Sequence, residues 1–149
     1  MGVKGKMARE MFLQGYNCSQ SVVAAFCEEI GLPQEILLKM SIGFGGGVGR
    51  MREVCGAFSG VVMVAGLLYG EDPKNKTAVY TIVQELAKQS REANGSIICK
   101  ELLGLAKPEG SPVASERTKE YYKKRPCADL VEMAADMMEE YLAEHPVHV

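Results

Sequence analysis

Five cysteines are the residues of this chain best suited to chemistry: Cys18, Cys27, Cys55, Cys99 and Cys127. The thiolate is both the nucleophile and the metal-binding form of cysteine. There is no C-x-x-C; Cys27 stands nine positions after Cys18, and every other interval is twenty-eight or more. The only histidines, His145 and His148, stand as H-x-x-H at the tail, which is expected to fray. No Ser-His-Asp arrangement can therefore be built.

Four of the cysteines share one context. Cys18 follows Asn17, a good helix cap. Cys55 follows the run Gly43 to Gly49 and the cluster Arg50, Arg52 and Glu53. Cys99 lies three residues after Ser96, and Cys127 follows Lys123, Lys124, Arg125 and Pro126. Each is expected in the first turn of a helix, where the dipole favours a thiolate. Several such helix starts meeting in one place would make an anion-friendly pocket, bordered by Tyr16 and Arg50. Cys55 is expected to be the most nucleophilic thiol of the reduced, metal-free chain, with Arg50 and Arg52 outweighing burial. Glu53 is read as an exposed first-turn glutamate. Cys27 lies across the helix from Cys18 and is assigned to packing.

Two chemistries use these four residues. One is thiol–disulfide redox, in which a thiolate attacks and a second cysteine resolves. The other is metal binding, with Cys18, Cys55, Cys99 and Cys127 as ligands of an iron–sulfur cluster or a zinc ion. A third reading is a structural, partner-binding helical domain with incidental thiols. None of the three settles whether the chain is an enzyme. Gly56 and Gly60 would let a cofactor or a second helix come close to the sulfur.

The elements that must position these thiols read as helices. Residues 3–14 form a first helix stopped at Gly15. Helix two runs from Cys18 to Ile30, and a short helix from Pro33 to about Met40. From Val54 to Tyr69 there is no charge, so that helix is expected at the centre of the fold. After Asp72-Pro73 comes a helix to about Ala93, with Val79, Ile82, Val83, Leu86 and Ala87 on one face. Ser96 caps a short helix holding Cys99. Residues 104–115 read as a loop, 116–125 as a charged helical stretch, and Pro126 opens the last helix. The expectation is an all-α, single-domain bundle over residues 1–149, of five or six helices around residues 54–69.

Composition narrows the partners. The formal charge of −2, with both signs interspersed, leaves no footprint for nucleic acid. The uncharged run is sixteen residues, short of the ~20 a bilayer needs, so no membrane span is expected. No Gly-Lys-Ser/Thr follows the glycine run, so it is not read as a phosphate loop. Residues 1–12 lack the apolar core of a signal peptide, and the expected location is cytoplasmic. The expected partners are a redox partner of unspecified identity and, in a homodimer, a second copy of the chain.

One motif ties these residues to a family. The segment Cys55-Gly56-Ala57-Phe58-Ser59-Gly60 is a CGAxxG, with single cysteines on both sides of it. The chain resembles the redox-active family defined by four cysteines and that motif. Cys18, in Gly15-Tyr16-Asn17-Cys18-Ser19-Gln20-Ser21-Val22, matches the first family cysteine, and Cys99 and Cys127 match the last two. Cys27 lies outside the pattern. The resemblance spans nearly the whole chain and implies a redox role, alongside transporter genes and electron-transfer modules. It names no substrate.

Overall fold

The computed structural model describes residues 2–104, 111–119, 121 and 125–147. Among them there is no strand; the one bridge pairs Val54 with Ile98. Helix α1 spans Val3–Leu13 and buries Ala8 and Phe12. It has no side-chain cap of its own. Its first amides are satisfied from the far end of the chain: Gly5 N–H donates to Asp136 Oδ1 at 2.9 Å, and Lys4 N–H to Glu139 Oε1 at 3.2 Å. Negative side chains there also suit the helix dipole.

Helix α2 spans Cys18–Ala25 and opens with a complete capping box between Asn17 and Gln20. The single helix expected from Cys18 to Ile30 is broken. Phe26 leaves helical geometry at φ −102°, ψ 17°, and a short α3 follows over Cys27–Ile30. Helix α4 spans Gln34–Ser41; a 3-10 turn over Ile42–Phe44 leads into α5, a single turn over Gly45–Val48. Helix α6 covers Gly56–Tyr69 and buries nine of its fourteen residues. It packs on α2, on α7 (Lys76–Asn94) and on α9 (Cys127–Glu144). Between α7 and α9 lies the short α8, Cys99–Leu102.

The chain is all-α, and its described residues fall into more helical pieces than the sequence periodicity gives. The additional pieces are the single turns α3 and α5, too short to carry a period; the short α8 stands where a short helix holding Cys99 was expected. The expected loop at 104–115 and helix at 116–125 lie partly outside the described residues, and 116–118 are not helical. At the end of α9 the His145 ring stacks on Tyr141 at 4.1 Å, and Tyr69 Oη donates to the His145 carbonyl at 2.7 Å. His148 lies outside the described residues. Among the described residues no helix is long and apolar enough to cross a membrane.

Candidate functional site

Cys18, Cys55, Cys99 and Cys127 line one cavity of about 70 Å³. Four elements deliver them. Cys18 opens α2 and Cys55 is the N-cap of α6, while Cys99 opens α8 and Cys127 opens α9. All five cysteines of the chain are free thiols. Cys27 is outside the cavity, with its Sγ 3.2 Å from the Leu32 carbonyl.

The approach of the four depends on the glycines around Cys55. A Cβ on Gly56 would stand 2.4 Å from Cys18 Sγ, and one on Gly47 would stand 2.7 Å from Cys99 Cβ. Only a bare Cα admits a neighbour that close. Gly60, expected beside the sulfur with Gly56, lies one turn further on. It faces α2, where a Cβ would meet Val22 Cβ at 2.8 Å, and it does not line the cavity.

Residues 46–52 take a strained path. Besides three glycines, Val48, Arg50 and Arg52 all have left-handed φ, of 64°, 65° and 61°. Such conformations are costly for side chains with a Cβ and persist where surrounding contacts over-determine them. Here the backbone bonds Arg52 N–H to Gly46 O (3.1 Å), Glu53 N–H to Gly47 O (2.9 Å) and Cys99 N–H to Glu53 O (2.6 Å) do so. They join the glycine loop to the start of α8. Glu53 contributes its backbone, and its side chain is exposed.

The two arginines diverge. Arg52 is buried and donates from Nη1 to Cys99 Sγ at 3.6 Å. Arg50 turns outward and donates to the carbonyls of Ser111 (3.2 Å) and Val113 and to Ser115 Oγ (3.2 Å). The expected pairing of Arg50 with Cys55 is therefore not made, and neither Arg50 nor Tyr16 lines the cavity. Two residues the sequence did not point to, Arg117 and Tyr121, do line it. Arg117 donates to the carbonyls of Phe12 and Tyr16 (2.8 Å to the latter), with its guanidinium 4.0 Å from the Phe12 ring centre. Tyr121 hydrogen-bonds the Cys127 thiol. Aromatic and basic residues interleaved in a charged stretch were the only sequence signal for them.

Burial sets the state of the thiols. Cys55 is pushed up to about 12, first by burial and next by the neighbouring Cys18, against hydrogen bonds from the Phe58 and Ala57 amides. Cys127 is pushed up to about 11, again first by burial, then by Cys18 and Cys99. Burial raises Cys18 too, although the Gly46 amide opposes it. The helix-start environment is present as expected, but the expectation that it makes Cys55 the readiest thiolate is overturned, because desolvation of the charged form dominates.

A wider groove of about 290 Å³ runs between α7 and α9 and meets the other side of Cys55. Among the described residues no group of three or more His, Cys, Asp or Glu side chains stands in an arrangement that could hold a metal ion.

A search of curated proteins and of solved structures found no match. A family model does match, over residues 16–141, with the description "Putative redox-active protein (C_GCAxxG_C_C)". All four cavity cysteines fall inside the matched span, as does the CGAxxG segment at the start of α6. With its four cysteines gathered at one cavity from four helix starts, the chain belongs to the C_GCAxxG_C_C family.

Proposed function

We propose that residues 1–149 form one redox-active helical domain, working in the cytoplasm, that exchanges thiols for disulfides. The observation that carries the reading is the convergence of Cys18, Cys55, Cys99 and Cys127 on one small cavity. Thiols brought together from four helix starts, each within the electrostatic reach of others, are placed to pair on oxidation. Cys18 and Cys55 are the pair favoured to exchange: the Cys18 sulfur lies against Gly56, the residue after Cys55. Cys99 and Cys127 then act as a second pair or as resolving thiols. The roles of Gly56 and Gly60 differ, the first leaving room for a sulfur and the second for a helix.

The same four sulfurs are the donor set that zinc or an iron–sulfur cluster would take. That reading stands second, because the described side chains do not present three donors in metal-holding geometry.

The test is a redox titration of the reduced full chain in dithiothreitol buffers, with disulfides mapped by mass spectrometry. The expected result is a Cys18–Cys55 disulfide, formed in wild type and lost in Cys18→Ser. A chain that forms no intramolecular disulfide under oxidising poise, or pairs Cys27 first, would overturn the reading.

A further inference from the structure

Cys55 is a wall shared by two cavities. With Ala57, Leu102 and Leu130 it lines both the small thiol cavity and the groove of about 290 Å³ between α7 and α9. The groove is the more open of the two and lies at the low end of small-ligand pocket volumes, roughly 300–1,000 Å³. Its floor is apolar, with Phe58 and Met137 beside the shared residues. Its rim carries the exposed carboxylate of Glu140, while the Asp136 carboxylate turns to the Gly5 amide of α1, and among the described residues no cationic side chain lines it.

We propose that this groove is the substrate site, and that it takes a low-molecular-weight disulfide with short apolar arms and a neutral or cationic end. The proposal rests on the thiol-exchange reading above. Volume excludes a folded protein disulfide. Charge disfavours anionic disulfides, since the Glu140 carboxylate repels them and attracts a cationic end.

The reaction balances on the chain's own thiols and the substrate. The Cys55 sulfur attacks R–S–S–R, forming a Cys55–S–S–R bond as the substrate S–S bond breaks, and the Cys55 proton passes to the departing R–S⁻ to give R–SH. The Cys18 sulfur, on the far side of the wall, then attacks Cys55 Sγ, its proton passing to the second R–S⁻ as that leaves, and a Cys18–Cys55 disulfide remains. Two thiols of the protein are oxidised, and one disulfide is reduced to two R–SH.

The experiment follows oxidation of the reduced full chain by three probes: cystamine (cationic), hydroxyethyl disulfide (neutral) and oxidised glutathione (anionic). The mixed disulfide at Cys55 is trapped in Cys18→Ser and quantified by mass spectrometry. Cystamine is expected to outpace oxidised glutathione by about tenfold at low salt, converging as salt rises. Glu140→Gln, at an exposed position, should narrow that gap. Ala93→Trp, which fills the groove from the exposed end of α7, should slow cystamine and hydroxyethyl disulfide alike. Equal rates for all three probes, untouched by Ala93→Trp, would reject the groove while leaving thiol exchange in place. Failure of every probe to oxidise Cys55 in a folded chain would reject both.

Discussion

The same substitution at two glycines of α6 should move stability in opposite directions. Gly60 and Gly66 both lie inside Gly56–Tyr69. At Gly60 an added Cβ would stand 2.8 Å from Val22 Cβ, 3.1 Å from Val22 Cγ1 and 3.2 Å from the Ser19 carbonyl. Val22 is fully buried in α2, and Ser19 O is backbone, so neither neighbour has anywhere to go. At Gly66 nothing lies within 4 Å. Replacing glycine by alanine inside a helix stabilises by about 1 kcal/mol through propensity, and that contribution is common to both sites. The difference between the two variants therefore isolates the contact between α2 and α6. Overpacking of this kind costs about 1–3 kcal/mol.

Gly66→Ala should accordingly unfold above wild type, and Gly60→Ala below Gly66→Ala by about 1–3 kcal/mol. For a chain of this size that is a gap in Tm of about 2–12 °C. Gly60→Leu should fall lower still. Thermal unfolding by circular dichroism under reducing conditions reads the gap. If the two alanine variants melt together, α2 and α6 are not in backbone contact at Gly60, and the seating of Cys18 against Gly56 one turn earlier loses its support.

Two further outcomes follow from the buried thiols. Cys55 has a folded value of about 12 against an ordinary 9.0, so the folded state holds its proton more tightly than the unfolded state. Its contribution to stability is complete below about pH 9 and is lost as pH rises toward about 12. Denaturant unfolding at stepped alkaline pH should fall less steeply for Cys55→Ser than for wild type, and equal slopes would mean that the thiol ionises as freely folded as unfolded. Alkylation at neutral pH should reach half-buried Cys27 well before Cys55, whose thiol is held neutral, and Cys55 labelling should quicken as pH rises toward about 12; prompt labelling of Cys55 at neutral pH would count against that raised value.

What the sequence made legible was whatever had a local cause. Asn17 three residues before Gln20 is a capping box, and α2 begins there. The spacing of Ile82, Leu86 and Ala87 is a helix face, and those three are the buried residues of α7. The convergence of four cysteines was legible as a pattern of helix starts. The break at Phe26 was not, because neither glycine nor proline marks it; the chain bends where packing of Phe26, fully buried, decides. The parting of Arg50 from Arg52 was equally hidden. It follows from three non-glycine residues held at left-handed φ, and nothing in residue type announces that. Arg117 and Tyr121 sat in a stretch that read as a solvated charged face, and only tertiary contact turns them inward.

The reversal at Cys55 comes down to magnitudes. A helix N-terminus contributes about 0.3–1 kcal/mol to a nearby anion at the surface and up to ~2 in favourable partly buried geometry. The rise from 9.0 to about 12 corresponds to about 4 kcal/mol in favour of the neutral thiol, after the amides of Ala57 and Phe58 have already acted against it. Desolvation and the mutual repulsion of neighbouring sulfurs are thus the larger effects, and each added cysteine in the cavity strengthens the second of them. Four helix starts pointed at one place do not make four thiolates. They make a compartment in which neutral thiols lie close together and the helix ends await a charge. A disulfide between two of them leaves no sulfur to hold a charge, so pairing on oxidation is open to sulfurs that burial bars from standing as thiolates.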